Sequence, residues 1–136
     1  MMVLDASLLV SYMIPNDVHH NQAMTWIQKT AAKSSFLIPA IAIIEITCVL
    51  SRNKTEETLR DHWVLWVQNF LSVAGSDDSL SSPSMAEIIH AAKKTGCRAG
   101  DVFYVALAKK HSIPLVSFDK DQLAKSSKFG VQVIEP

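Results

Sequence analysis

Residues 100–123 read GDVFYVALAKKHSIPLVSFDKDQL. Asp101 to His111 has the apolar spacing of a helix, Ile113 to Phe118 is an apolar strand, and Lys120 to about Lys125 is a short helix. A strand that is apolar on both faces and lies between helices belongs in a parallel sheet covered on both sides. This one runs straight into a carboxylate, Asp119.

The pattern continues toward the N-terminus. Residues 2–4 form a short buried strand ending at Asp5; Ala6 to Met13 is helical, and Pro15-Asn16-Asp17 breaks the helix. Val18 to Ala32 has helical spacing, and Phe36-Leu37-Ile38 is a second strand. Pro39 suits the first turn of a helix that runs to about Arg52, because its missing N–H costs nothing there. Thr55 is the expected N-cap of the next helix, along which Trp63, Trp66, Val67, Phe70 and Leu71 make an apolar stripe. Residues 72–82 read as a loop with a short strand near Val73. Ser82-Pro83 starts another helix and Gly96 ends it; Val131 to Ile134 is the final strand. The order predicts a three-layer α/β/α sandwich with a short, mainly parallel central sheet, as a single domain over residues 1–136.

Four carboxylates stand out against this apolar background. Asp5, Glu45, Asp101 and Asp119 interrupt or end the runs MMVLD, IPAIAIIEITCVL, GDVFYVALA and IPLVSFD. An ionised carboxylate in apolar surroundings is costly unless something pairs with it. Asp5 and Asp119 fall at the carboxyl ends of strands, where open parallel sheets bind ligands. Ser7 and Ser117 lie two residues from them, close enough to orient a carboxylate or a water. Asp5, Asp101 and Asp119 also stand just before helices, where Asp is a favoured cap without further function. Glu45 has no such reading: it is mid-helix, with Ile41, Ala42, Cys48 and Val49 as its neighbours. Its bland alternative is a core-rim glutamate reaching water or pairing with Arg52.

A shared divalent cation would compensate all four. Mg²⁺ and Mn²⁺ are hard ions that prefer carboxylate oxygens. Held by acids, they polarise phosphodiesters and generate hydroxide, so no nucleophilic side chain is needed. No Ser–His–Asp or Cys–His arrangement competes, and His19, His20, His62, His90 and His111 are not spaced as a zinc site.

Bulk properties narrow the classes. The charge balances at 13 basic against 13 acidic residues, which argues against coating nucleic acid by global electrostatics. Contact would be local, through Arg52, Lys54, Arg98 and Lys120 near the acidic edge, with Arg98 first because it precedes Asp101 by one turn. Cys48 and Cys97 fit neither a disulfide framework nor a metal spacing. The apolar N-terminus lacks a basic leader and carries Asp5. The apolar run around 36–44 is broken by Pro39 and far too short for a membrane span. A soluble cytoplasmic protein is expected.

The segments VLDASLLV (3–10), IPAIAIIEITCVLSR (38–52), RAGDVFYVALAKKHSIPLVSFDKDQL (98–123) and VQVIEP (131–136) resemble, in order and spacing, a PIN-domain ribonuclease, most like the VapC-type toxins of toxin–antitoxin pairs. The resemblance places the family's acidic quartet on Asp5, Glu45, Asp101 and Asp119. It places the supporting hydroxyl on Ser117, where threonine is more usual. Asp121 falls near a second metal position that varies in the family. The resemblance implies Mg²⁺- or Mn²⁺-dependent cleavage of RNA, a homodimer, and inhibition by a small antitoxin encoded beside it.

Two competing readings remain. One is a catalytically weak PIN-like binding module acting through protein or RNA contacts. The Trp63/Trp66/Phe70 stripe, core packing in its plainer reading, would then be a dimer surface or antitoxin groove. The other, an aspartyl-phosphate phosphatase, wants an Asp two residues after Asp5, where Ser7 stands.

Overall fold

The computed structural model describes residues 1–76 and 80–136; positions 77–79 of the expected loop lie outside the described residues. Five short strands form one all-parallel sheet: β1 (Met2–Leu4), β2 (Phe36–Ile38), β3 (Ser72–Val73), β4 (Leu115–Val116) and β5 (Val133–Ile134), in the order β3-β2-β1-β4-β5. Register is set by Val3 opposite Leu37 on one side and Leu115 on the other. All three are fully buried, as expected of central parallel strands.

Among the described residues seven helices complete an α/β/α sandwich: α1 (Ala6–Met13), α2 (His20–Ala31), α3 (Ile41–Arg52), α4 (Glu57–Phe70), α5 (Met85–Thr95), α6 (Ala99–His111) and α7 (Lys120–Lys128). Helices α1 to α4 pack with one another, and α5 packs against both α6 and α7. Each face buries an apolar stripe against the sheet, with Leu8 and Leu9 of α1, Ile46 and Leu50 of α3, and Tyr104 and Leu107 of α6 in the core. The tryptophans of α4 do pack inward. Tyr12 of α1 meets Trp63 and Trp66 at ring separations of 5.9 and 5.6 Å, whereas Phe70 stays 72 % exposed.

Helix starts depart from the sequence expectation by one or two residues. Thr55 is not the cap of α4: its N–H bonds back to Leu50 at 3.1 Å, after Lys54 turns left-handed at φ 53°, and Glu56 takes the cap position. Ser82 spends its hydroxyl on the Ala74 carbonyl at 3.0 Å. The start of α5 belongs instead to Ser84, which forms a reciprocal capping box with Glu87. Pro39 precedes α3 by two residues rather than occupying its first position. The expected strand at 113–118 pairs only over Leu115–Val116. Gly96 closes α5 in the left-handed conformation at φ 61°, which costs a glycine nothing.

Candidate active site

From β1 the chain moves outward to β2 and β3, then crosses back to lay β4 and β5 on the other side of β1. The strand order therefore reverses between β1 and β4, and the crevice beyond their carboxyl ends is where open α/β sheets bind ligands. A cleft of about 610 Å³ opens there, lined by Asp5, Glu45, Asp101 and Asp119. Ser7, Arg52 and Arg98 share its wall, with Ile41, Ile44, Cys48 and Val49 as its apolar part.

The two strand-end acids are locked by hydrogen bonds. Asp5, 6 % exposed, caps α1: its Oδ2 accepts from Ser7 N at 3.0 Å, Ser7 Oγ at 2.5 Å and Ser117 Oγ at 3.2 Å. Asp119 caps α7, its Oδ1 accepting from Asp121 N at 2.9 Å and Gln122 N at 3.0 Å. Ser117 joins them, since its Oγ also accepts from Asp119 N at 3.0 Å. Serving as a cap thus does not take either carboxylate out of the cleft.

The helix-borne acids differ. Asp101 is not a cap: Arg98 holds that position, and Asp101 is the third residue of α6. Its side chain accepts no hydrogen bond among the described residues. Burial first, then the charges of Asp5 and Asp119, push its pKa up to about 6, against a smaller downward pull from Arg98. Glu45 makes no ion pair with Arg52. It accepts a hydrogen bond from the Tyr104 hydroxyl instead, from α6 across to α3. Burial raises the Glu45 pKa, the Tyr104 bond lowers it, and the charge of Asp5 raises it again, for a net rise. Tyr104 is itself fully buried and its pKa is raised by burial, by Asp5 and by Glu45, so it remains a neutral donor.

Two expected site residues lie elsewhere. Asp121 turns outward along α7, where its Oδ2 pairs with Lys125 Nζ one turn on, at 2.6 Å. Lys120, 81 % exposed, points to Glu135 at 3.4 Å. Neither lines the cleft. Arg98 and Arg52 do, both exposed, and among the described residues neither is in an ion pair. Sequence reasoning passed over Tyr104, Gly100 and Gln122. A Cβ on Gly100 would collide with Glu45 Oε1. Gln122, 1 % exposed, reaches Asp5 Oδ1 with Nε2 at 3.4 Å, and its buried Oε1 has no hydrogen-bond partner among the described residues. The available signal was spacing, because Tyr104 and Gln122 each follow a quartet acid by three residues on a helix.

The PIN-domain family model matches residues 2–128. The chain belongs to the PIN-domain family. Solved structures share its fold at low sequence identity. PAE2754 from Pyrobaculum aerophilum matches with a TM-score of 0.68 and 20 % identity, over 98 % of this chain and 87 % of that one. VapBC2 from Rickettsia felis, bound to a DNA fragment from its promoter, matches at 0.71 and 12 %, over 98 % and 97 %. Mycobacterium tuberculosis VapC20, a toxin that cleaves the sarcin–ricin loop, matches at 0.70 and 14 %, over the whole of both chains. The search of curated proteins found no match.

PIN-domain nucleases generally use divalent metals, and the donor chemistry of this PIN domain fits such an ion. Its cleft is walled by hard carboxylate oxygens, and burial first, then the charges of the neighbouring acids, raise the pKa of Asp101 there. Among the described residues no three His, Cys, Asp or Glu side chains are close enough to share one ion directly. Mg²⁺ does not need three: it takes one or two carboxylates and keeps several waters. No helix of the described residues is long and apolar enough to cross a membrane.

Proposed function

We propose that this PIN domain is a divalent-metal-dependent endoribonuclease that hydrolyses RNA phosphodiester bonds, acting as the toxin of a toxin–antitoxin pair in the cytoplasm. The observation that carries the reading is the meeting of four carboxylates, from four separate elements, in one cleft at the β1/β4 switch point. One or two of Asp5, Glu45, Asp101 and Asp119 would ligate Mg²⁺ or Mn²⁺ directly, and the others would hold it through its waters. Bound there, the ion would supply Lewis acidity toward a phosphodiester and lower the pKa of water. Ser7 and Ser117 fix the Asp5 carboxylate, and Ser117 also receives the N–H of Asp119. Arg98 and Arg52, in no ion pair among the described residues and on the cleft wall, would take RNA phosphates, and the salt dependence of RNA affinity would count them. The RNA-cleaving activity of the mycobacterial neighbour supports RNA as the substrate class.

The test is RNA cleavage with Mg²⁺, with EDTA, and by Asp5→Asn and Asp101→Asn. Chelation and both substitutions are expected to abolish it; undiminished cleavage by both variants would remove these acids from the chemistry.

A second reading, a catalytically weak PIN-like module working through protein or RNA contacts, would act through one further feature. Phe70 is exposed beside an apolar cavity of about 560 Å³ lined also by Leu4, Leu9, Ile27, Phe36 and Trp66. A homodimer partner or an antitoxin would occupy such a surface under either reading. A rise in Tm on Mn²⁺ titration favours the nuclease, because an ion that binds only the folded state stabilises it.

A further inference from the structure

Gly100 and Tyr104 stand one helical turn apart on α6 and bracket Asp101. Both reach the same group on another helix. The Tyr104 hydroxyl donates to Glu45 Oε2, and a Cβ added at Gly100 would strike Glu45 Oε1. The two oxygens of one carboxylate are therefore addressed from a single turn of α6.

The glycine needs a reason, since glycine weakens a helix relative to alanine. Gly75, Gly96 and Gly130 have left-handed backbones that favour glycine; Gly100 does not. Outside its own helix, the atoms its Cβ would meet belong to the Glu45 carboxyl group. The tyrosine needs a reason too, because a buried hydroxyl must find a partner. Its hydroxyl donates to Glu45, across 59 residues of sequence, and also meets the backbone N–H of Ala6.

We propose that Gly100 and Tyr104 are positioning residues that clamp the Glu45 carboxylate in register with Asp101, so that one turn of α6 sets the spacing of both helix-borne acids toward a divalent cation. The proposal rests on the metal-site reading above. Groups that orient a metal-binding side chain typically change metal affinity by about 10–100-fold when removed.

The experiment measures Mn²⁺ affinity of the whole chain from the spectroscopic signal of free Mn²⁺, for the wild type, Tyr104→Phe, Gly100→Ala, Glu45→Ala and the two double variants containing Glu45→Ala. Metal-free melting curves control for folding. Each single clamp substitution is expected to weaken binding by about 10–100-fold. In the Glu45→Ala background neither should weaken it further, because a clamp has no effect without the group it holds. Losses as large in that background, or unchanged affinity in both single variants, would overturn the clamp and leave the metal site standing. A wild type that binds no Mn²⁺ would overturn the metal reading, and the clamp with it. Should Tyr104→Phe fail to fold, Gly100→Ala carries the test: alanine is the better helix former, and the atom it displaces ends a flexible side chain.

Discussion

The four cleft acids divide into two pairs that the fold treats differently. Asp5 and Asp119 follow β1 and β4, cap α1 and α7, and receive backbone N–H groups, and Asp5 receives two hydroxyls as well. Glu45 and Asp101 are carried on α3 and α6 and cap nothing. Glu45 is held by one tertiary hydrogen bond, and Asp101 is held by none among the described residues. The strand-end pair contributes to folding whatever the protein does, so its presence alone says little about function. The helix pair is a standing electrostatic cost, and a cost is the better support for the cation proposed above.

The largest effects should fall on RNA cleavage and should ignore this division. Asp5→Asn and Asp101→Asn are each expected to lower the Mg²⁺-dependent rate by at least about 100-fold, the scale of losing one group that stabilises transition-state charge. Single-turnover assays on a common RNA measure both. Retention of near-normal rates by Asp101→Asn would leave the helix-borne acid without a purpose and break the comparison at its centre.

Stability without metal should separate the pairs. Asp5→Ala removes an N-cap and strands the buried Ser117 hydroxyl, for a loss of about 2–3 kcal/mol. Asp119→Ala loses a cap alone, about 1 kcal/mol. Asp101→Asn should be neutral or stabilising, since it deletes repulsion without deleting a hydrogen bond. Urea titrations in EDTA give all three, and a destabilised Asp101→Asn would show that this carboxylate has a structural partner after all.

The same asymmetry has a pH signature. Asp101 titrates near 6 in the fold against an ordinary value of 3.8, so between those values the folded protein keeps a proton that the unfolded chain has released. Stability in EDTA should therefore fall as pH rises from 3.8 through about 6 and show no further loss from this group above it. The fall should be about 1–2 kcal/mol, taking 1.36 kcal/mol per unit discounted for solvent screening. Asp101→Asn should flatten it, and saturating Mn²⁺ should reverse it. An unchanged slope in the variant would assign the fall to other groups.

How legible this was in sequence follows from the range of each interaction. Strands were readable because short runs such as VLD and PLVSFD are apolar on both faces, and their terminal acids marked the sheet edge. Glu45 was readable as misplaced because its helical neighbours are apolar. What fixed its direction was not: Tyr104 and Gly100 act through the packing of α6 on α3, which no local pattern encodes. Helix starts slipped where a candidate cap had a competing partner, as with Ser82 and the Ala74 carbonyl. The cap alternative for Asp101 could not be dismissed from sequence, because the residue that holds that place, Arg98, is a poor capping residue and makes no side-chain bond.

The smallest effect tests the edge of the quartet. By sequence Asp121 is two residues from Asp119 and a candidate for the metal site. By geometry it belongs to the outer face of α7, where it is 71 % exposed and paired with Lys125. An exposed i,i+4 pair contributes about 0.3–0.5 kcal/mol. Asp121→Asn should thus cost no more than that in urea titration and leave both cleavage rate and Mn²⁺ affinity unchanged. A large fall in Mn²⁺ affinity would mean that Asp121 swings inward when the ion binds, and the boundary between the cleft and the surface of α7 would have to be redrawn. The Lys125→Met variant decides which: freed of its partner, an Asp121 that can reach the cleft should bind Mn²⁺ more tightly, and one confined to the outer face should not.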